Sequence, residues 1–468
     1  MVDQIVSFFK NRIYKGDWLC GDVLPPQREL AKIFNVNRST IVSALSELSS
    51  LGIIEPKVGK GTMIANNSWS FLFTNSPPDW NHYIEHGFHK SNIPTIQAIN
   101  KYEFIDPIIR LSTGEVSSEL MPHDAISKVL FHLAKLQVPF NYLEPLGLYE
   151  LRVELCKYFK KHNLDIKPSE ILIVSGSLQA LQLISVSLLG GNSTVFVEEN
   201  SYIKSLKVFE FSGTRMKAIP MDKEGPIPWM IDEKTLKEGN SILYTIPTFH
   251  NPTGLTMGSS RRNELLKWCK KNQLPIIEDD AYRELYFDCP PQNPIKSIDD
   301  SGNVLYLGSV SKSLAPGLRI GWIVGPESII NRLGDIKMQT DYGASSVSQW
   351  MLTLLLRDHL YEEHLISLRS KLKARSQYML HLLETYFYDM ATWNIPSGGF
   401  YIWLKLNKPI STEKLFTTAL KENILINPGY IYGFKKSPYI RLSYSYASTK
   451  EMETGIKSLS QIIRKMIV

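Results

Sequence analysis

The apolar positions of the first 65 residues recur with helical spacing, separated by short polar loops. The run from Gln4 through Ile13 predicts one helix. A second, short helix is expected to begin at Gln27, directly after Leu24-Pro25-Pro26, because proline costs least where a helix starts. A third is predicted from apolar residues that share one helical face, namely Ile41, Leu45, Leu48 and Leu51.

The segment between the second and third helices has the chemistry of a tight turn. Asn35 suits the left-handed conformation, and Asn37 is placed to cap the third helix, which Gly52 follows. Two helices joined in this way place three polar residues at the start of the second one: Arg38, Ser39 and Thr40. A helix-turn-helix presents such side chains to base edges and phosphates in the major groove of DNA.

Two short strands are predicted after the third helix. They cover Ile53-Ile54-Glu55 and Thr62-Met63-Ile64, and the turn between them carries Lys60 in Val58-Gly59-Lys60-Gly61. An exposed cation on such a turn suits a phosphate or the minor groove. Residues 1–65 are therefore expected to form a small winged helix that binds DNA.

Residues 66–106 lose regular periodicity and carry the Asn, Ser and Pro clusters of a linker. Their apolar side chains are nevertheless too many for a freely solvated tether: Trp69, Phe71, Phe73, Trp80, Tyr83, Phe88 and Ile96. We expect this linker to pack against one of the domains.

From residue 107 to 468, strand-like runs alternate with helical stretches, which predicts an α/β domain with a mostly parallel sheet. One strand, Ile171-Leu172-Ile173-Val174, leads through Ser175-Gly176-Ser177 into an apolar helix from Leu178 to Leu189. A small-residue loop followed by a helix N-terminus offers backbone N–H groups to a phosphate.

Lys312 carries the most informative chemistry in the chain. It follows Ser309 and Ser311 closely, and Arg319 stands seven residues further on. The amine suits a Schiff base with an aldehyde cofactor, while the two hydroxyls and the guanidinium suit the cofactor's phosphate.

Two further strand ends complete this chemistry. Asn251, in His250-Asn251-Pro252-Thr253-Gly254, is placed to donate a hydrogen bond to the phenolic oxygen of a pyridoxal ring. The strand Pro275-Ile276-Ile277 ends in Glu278-Asp279-Asp280, and a carboxylate against the pyridine nitrogen would keep that nitrogen protonated.

These segments, in this order, resemble the fold-type I aminotransferases, which bind pyridoxal phosphate. The resemblance selects Asp279 over Asp280, because Asp279 and Tyr282 form the Asp-x-x-Tyr pattern. It implies that Tyr282 joins Asn251 at the ring oxygen and that Tyr202 stacks on the ring. It also implies that Tyr142 reaches the phosphate of the neighbouring subunit in a head-to-tail homodimer, and that Arg441 binds the α-carboxylate of an amino acid.

The first 65 residues resemble the GntR-type winged helix, with Val42 where some members have arginine. That resemblance implies five DNA contacts: Arg28, Arg38, Ser39, Thr40 and Lys60. A winged helix-turn-helix fused to an aminotransferase-like domain is similar to the MocR subfamily of bacterial transcriptional regulators.

Composition excludes several other classes of protein. The 468 residues are 43% hydrophobic and 21% charged, as in soluble globular proteins, and no apolar run approaches the roughly 20 residues of a membrane span. With no signal-peptide pattern, the expected compartment is the cytoplasm. Cys20, Cys156, Cys269 and Cys289 lack metal or redox spacing and are expected as reduced, mostly buried thiols, and no metal site is predicted at His82, His86 and His89. The net charge of +6 is compatible with DNA binding but does not establish it.

Three functional hypotheses follow. In the first, the chain is a regulator that binds DNA and pyridoxal phosphate and senses the cofactor, an amino acid or an amine through aldimine exchange at Lys312. The alternative is a working aminotransferase with an accessory DNA-binding head. The third is a regulator that senses pyridoxal phosphate alone, in which Arg441 would be dispensable.

Overall fold

The computed structural model describes residues 1–14, 17–18, 21–65, 80, 83, 86, 91–136, 138, 141–210, 213–237, 240–435 and 437–467. The chain divides into two compact units, Met1–Lys90 and Ser91–Val468. Residues 91–106 of the predicted linker thus belong to the second unit, where Ile96 and Ile99 are buried in the core. Several residues named above lie outside the described part of the chain: Cys20, Trp69, Phe71, Phe73, His82, Phe88 and His89.

The described elements of the first unit include three helices and a hairpin. These are α1 (Val2–Tyr14), α2 (Gln27–Ile33), α3 (Arg38–Ser50), β1 (Ile54–Lys57) and β2 (Gly61–Ile64). The strands pair antiparallel, with Ile54 opposite Ile64. One core joins these elements through residues that include Phe9, Leu30, Ile41 and Leu48.

The turn chemistry of this unit agrees with the sequence. Asn35 has a φ of 50° and Gly52 a φ of 68°. Asn37 occupies the N-cap position of α3, although its side chain makes no capping hydrogen bond. The prediction for Leu51 was wrong: it is the C-cap residue, beyond the last full turn, and its side chain is exposed.

The second unit is built from alternating helices and strands. Its helices are α4 (Pro94–Tyr102), α5 (His123–Leu136), α6 (Tyr149–Lys160), α7 (Ser177–Leu188), α8 (Glu233–Lys237), α9 (Ser259–Lys271), α10 (Glu327–Thr340), α11 (Ser346–Arg357), α12 (Leu360–Phe387), α13 (Thr412–Lys421) and α14 (Thr449–Ile467). Its first ten strands are β3 (Ile109–Arg110), β4 (Ile171–Val174), β5 (Thr194–Glu198), β6 (Arg215–Ile219), β7 (Met221–Asp222), β8 (Gly225–Pro226), β9 (Ser241–Thr245), β10 (Ile276–Asp279), β11 (Val304–Ser309) and β12 (Gly321–Val324). The remaining strands are β13 (Ala391–Trp393), β14 (Tyr401–Leu406), β15 (Ile424–Leu425), β16 (Asn427–Pro428) and β17 (Tyr439–Ser443).

The main sheet has seven strands in the order β4-β12-β11-β10-β9-β5-β6. Only β12 runs antiparallel to its neighbours, so the prediction of a mostly parallel sheet is confirmed. Every residue of β4, β10 and β11 is buried, as expected for strands covered on both faces. In such sheets, ligands bind beyond the carboxyl ends of the strands. The parallel strands β9, β10 and β11 lead at that edge to Asn251, Asp279 and Lys312.

A smaller sheet has the strand order β13-β14-β17-β16. It carries Arg441 on β17, between Trp403 of β14 and Asn427 of β16.

Two other expectations were that the chain has no membrane-spanning helix and that its thiols are mostly buried. No helix among the described residues is long and apolar enough to cross a membrane. Of the three described cysteines, all free, Cys269 is buried, Cys156 is half-buried and Cys289 is exposed. The expectation of mostly buried thiols was therefore wrong for Cys289, which lies in a proline-rich loop.

Candidate functional site

A cavity of about 250 Å³ lies in the second unit, at the carboxyl edge of its main sheet. Five of the predicted site residues line it: Tyr202, Asn251, Tyr282, Lys312 and Arg441. They come from segments spread over 240 positions of the sequence: four follow strands of the main sheet, and Arg441 lies on β17 of the smaller sheet.

The Lys312 side chain enters this cavity and is half-buried. Its Nζ donates a hydrogen bond to the carbonyl oxygen of Gly114 at 2.6 Å. Just before it in sequence, the Ser309 hydroxyl donates to the Ile320 carbonyl at 2.9 Å and lies 2.9 Å from the Ser311 hydroxyl. The lysine thus follows a loop that internal hydrogen bonds hold in place.

The predicted phosphate cradle brings Arg319 against the loop before α7. Arg319 has a left-handed backbone, with φ of 53°, and its Nη2 donates to the Ser175 carbonyl at 2.7 Å. Gly176 has a φ of 90°, and a Cβ there would lie 2.6 Å from Arg319 Nη2. The backbone conformation favours glycine at this position, and a side chain here would displace the Arg319 guanidinium.

The backbone donors of the cradle differ from the expectation in one respect. The N–H of Ser175 donates to Gln179 Oε1 at 2.7 Å, and the N–H of Gly176 donates to the Val174 carbonyl at 2.9 Å. Backbone donors for a phosphate are consequently expected at the very start of α7, which begins at Ser177.

Asp279 ends β10 and is buried. Burial raises the pKa of its carboxyl to about 6, although hydrogen bonds from the Tyr244 hydroxyl, at 2.9 Å, and from the Ala281 N–H oppose that rise. Asp280 is engaged elsewhere, since its carboxylate accepts from Arg283 Nε at 2.5 Å. Of the two acids, Asp279 is the one that lacks a contacting cation, as a site for a pyridinium nitrogen requires.

Arg441 is buried and is held between two aromatic rings, 4.1 Å from the centroid of Tyr401 and 5.0 Å from that of Tyr432. It donates to Asn251 Oδ1 at 2.7 Å and to the Ser112 carbonyl at 2.8 Å. Its Nε has no hydrogen-bond partner among the described residues. A buried guanidinium with an unused donor, lining a cavity, can bind an anionic group of a ligand.

Asn251 connects this arginine to Tyr282. Its Nδ2 donates to the Tyr282 hydroxyl at 3.2 Å, and that hydroxyl lies 3.1 Å from the hydroxyl of Tyr401. The pair expected at the ring oxygen is thus already in contact.

Tyr202 and Tyr142 occupy different surroundings. Tyr202 lines the cavity, and its backbone N–H donates to the Asn251 carbonyl at 3.0 Å. Tyr142 is 82% exposed and contacts Tyr342, with ring centroids 4.9 Å apart. It does not line the cavity of its own chain.

Sequence reasoning missed several residues of this site, four of which matter most here. Tyr244, Tyr401, Glu103 and Glu115 either bond to the predicted residues or line the same cavity. Tyr401 had a usable signal, because it directly follows the glycine-rich Gly398-Gly399-Phe400. The other three had none, since their partners are remote in sequence.

In the first unit, four of the five predicted DNA contacts are exposed and Thr40 is partly so. Arg38 lies at the start of α3 and donates to Gln27 Oε1 of α2 at 3.2 Å. Lys60 is exposed beside Gly59, whose φ is 80°. Val42 is also exposed, so an apolar side chain stands on the outer surface of α3.

Comparison with known families and proteins identifies both units. Residues 106–459 match the family described as aminotransferase class I and II, and residues 2–64 match the bacterial regulatory proteins of the gntR family. The combination defines a class of protein, a transcriptional regulator with a helix-turn-helix head and an aminotransferase-like domain.

Relatives share the whole arrangement. The chain is 46% identical to the "Uncharacterized HTH-type transcriptional regulator YisV" of Bacillus subtilis (strain 168), over 99% of this chain and 96% of the relative. It is 35% identical to the HTH-type transcriptional regulator NorG of Staphylococcus aureus (strain N315), over 95% and 100%. The chain belongs to the MocR subfamily of GntR-type transcriptional regulators.

Solved structures resemble the second unit. Kynurenine aminotransferase from Pyrococcus horikoshii, in complex with PMP, superposes with a TM-score of 0.78 at 30% identity, over 84% of this chain and 99% of that one. LysN, the α-aminoadipate aminotransferase of Thermus thermophilus, complexed with N-(5'-phosphopyridoxyl)-L-leucine, gives 0.74 at 28% identity, over 86% and 99%.

Pyridoxal phosphate is the cofactor of this fold, and the residues present fit it. A lysine amine enters the cavity, a buried acid with a raised pKa lacks a contacting cation, and an arginine and a helix N-terminus meet at a glycine that a Cβ would block.

Proposed function

We propose that this regulator uses pyridoxal phosphate to detect an amino acid or amine and changes its binding to DNA in response. The observation that carries the proposal is that one cavity holds both an amine, Lys312, and a buried guanidinium with an unused donor, Arg441. The first suits the cofactor's aldehyde and the second suits a carboxylate.

Each side chain has a definite task in this proposal. Bound pyridoxal phosphate would supply an aldehyde that reacts reversibly with amines and a ring that withdraws electrons. Lys312 would hold that aldehyde until an effector amine competes for it. Asp279, ionised, would keep the ring nitrogen protonated, and Tyr202 would stack on the ring. The remaining contacts divide between the ring oxygen (Asn251, Tyr282) and the phosphate (Ser175, Gly176, Ser177, Ser309, Ser311 and Arg319).

The proposed assembly is a head-to-tail homodimer in the cytoplasm. The high exposure of Tyr142 supports a role at the phosphate of the partner subunit, because the same side chain lies outside the cavity of its own chain. Dimerisation would also pair two winged helices on operator half-sites, with the exposed Arg28, Arg38, Ser39, Thr40 and Lys60 as DNA contacts. An effector changes DNA affinity only if it binds one arrangement of the domains better than another.

The first test is selection of bound fragments from the source genome by the purified protein, with and without pyridoxal phosphate. We expect discrete sites beside open reading frames and a change in their occupancy when the cofactor is added. Weak, salt-sensitive binding without sequence preference would contradict the proposal.

The attachment of the cofactor is tested by borohydride reduction and peptide mapping. Pyridoxyl is expected on Lys312, and none is expected in Lys312→Ala. Lys337 is a built-in comparison, because this second lysine is fully buried and its amine donates to the Pro145 carbonyl at 3.1 Å, so no label is expected on it. Label on Lys337 in the variant would contradict the assignment of Lys312.

A catalytic aminotransferase is the second candidate, since Lys312, a group for proton transfer, lines the cavity and Asp279, the group for electron withdrawal, is buried at the end of β10. Incubation with amino donors and a keto acid distinguishes the two. Several product equivalents per subunit would favour the enzyme, whereas a single half-reaction would favour the sensor.

A further inference from the structure

Two carboxylates of the cavity have no part in the function proposed so far. Glu103 and Glu115 both line it, together with Lys312. Glu103 Oε1 accepts a hydrogen bond from the Thr113 hydroxyl at 3.1 Å, which holds this carboxylate against the 113–115 segment. Glu115 directly follows Gly114, whose carbonyl accepts from Lys312 Nζ at 2.6 Å.

The electrostatic surroundings of Glu115 depend on Lys312. Burial raises the pKa of Glu115, the charge of Lys312 opposes that rise, and the charge of Glu103 adds to it. Arg110 lowers this pKa less than Lys312 does, and its own guanidinium donates to the Tyr446 hydroxyl at 2.7 Å. Lys312 is thus the main cationic influence on Glu115, and bound cofactor that engages the Lys312 amine would weaken it.

The wall that carries Glu103 adds to the negative potential. Glu103 is the C-cap residue of α4, where the helix dipole places partial negative charge. The preceding turns of α4 contribute Ile96 and Ile99 to the cavity. A short aliphatic chain could pack against these two side chains and carry a cation to the helix end.

Arg441 supplies the independent observation that a ligand belongs here. It is only 4% exposed, lines the same cavity, and its Nε has no hydrogen-bond partner among the described residues. A ligand that matches the charges of the whole cavity therefore carries a carboxylate for the buried Arg441 and a cationic group for the two half-buried glutamates.

We propose that the effector is a basic amino acid, whose side-chain cation is bound by Glu103 and Glu115 while its α-carboxylate is bound by Arg441. This inference rests on the proposed function and narrows the effector from amino acids and amines in general to one chemical class.

The test compares ligands that differ only in the terminal amine. The pyridoxal-phosphate-loaded full chain is titrated calorimetrically with ornithine against norvaline, and with lysine against norleucine. We expect the basic member of at least one pair to bind 10-fold or more tightly, and the same order in the change of DNA affinity. In Glu103→Gln and Glu115→Gln this preference should fall to about threefold or less. Glu384→Gln, which alters an exposed carboxylate on α12, should leave it unchanged.

Each other outcome has a definite meaning. Equal affinity for basic and neutral members would overturn the basic-effector proposal and leave the proposed function standing. A preference that survives both glutamine variants would also overturn it, because the cation would then be recognised elsewhere. If no amino acid of any class binds the loaded protein, the amino-acid-sensing function itself fails. Borohydride label on Lys312 would show in that case that the cofactor is bound, because this label does not depend on the effector. The failure would then concern amino acid sensing alone.

Discussion

Arg441 Nη1 donates to Asn251 Oδ1 at 2.7 Å, across 190 positions of the sequence. The amide of Asn251 donates in turn to Tyr282. Asn251 is thus hydrogen-bonded both to Arg441, which is proposed to bind the effector's carboxylate, and to Tyr282, which is proposed to bind the cofactor's ring oxygen.

Arg441→Lys should weaken amino acid binding by 10-fold or more. Lysine keeps the charge but lacks the planar guanidinium that binds a carboxylate through two parallel hydrogen bonds. It also loses the bond to Asn251, worth about 1.5–3 kcal/mol for a charged donor. Calorimetric titration of the cofactor-loaded protein measures the effect. A different outcome would favour the cofactor alone as the signal. In that outcome, pyridoxal phosphate still changes the DNA affinity of Arg441→Lys, and no amino acid changes the DNA affinity of the wild type.

Asp279→Asn should change how the stability of the cofactor-free protein depends on pH. Burial raises the pKa of Asp279 to about 6, above its ordinary value near 4. The contribution of Asp279 to the free energy of unfolding is therefore fully favourable below pH 4. It is lost as the pH rises through 6, and the difference between the two conditions is about 3 kcal/mol.

Relative to the wild type, Asp279→Asn should accordingly be more stable at pH 8 than at pH 4.5, while it binds pyridoxal phosphate less tightly. Urea unfolding of the second unit at the two pH values measures this. If the difference in free energy of unfolding between the wild type and Asp279→Asn were the same at pH 4.5 and pH 8, Asp279 would not titrate in this range. Tyr244→Phe should act in the opposite sense, because it removes a hydrogen bond that favours the ionised carboxyl.

Gly176→Ala should weaken binding of pyridoxal phosphate by 10-fold or more. The new Cβ would lie 2.6 Å from Arg319 Nη2, and the φ of 90° disfavours any side chain by about 1–2 kcal/mol. Absorbance titration with the cofactor measures the loss. Gly190→Ala is the matched control, because its Cβ would meet nothing within 4 Å. Equal binding by both variants would exclude the phosphate from this loop.

Local patterns were sufficient to predict the head and the main sheet. Asn35 and Gly52 are left-handed as their chemistry suggests, and β4 and β10 are buried runs whose apolar residues are contiguous in sequence. The site residues that the sequence did not predict were missed for one physical reason. The bond from Tyr244 to Asp279 and the placement of Glu103 beside Glu115 depend on how remote segments cross, which no local periodicity records.

Lys60→Ala should weaken DNA binding similarly for all sequences, because an exposed lysine on a hairpin turn suits a phosphate and not a base edge. The slope of log affinity against log salt concentration should fall by about 1, the value for one phosphate contact. Fluorescence anisotropy on a selected operator, at several salt concentrations, measures both quantities. Lys10→Ala removes an equally exposed charge from α1 and should leave the slope unchanged. If Lys10→Ala reduced the slope as much as Lys60→Ala, the effect would reflect total charge, and the turn between β1 and β2 would have no specific role as a wing.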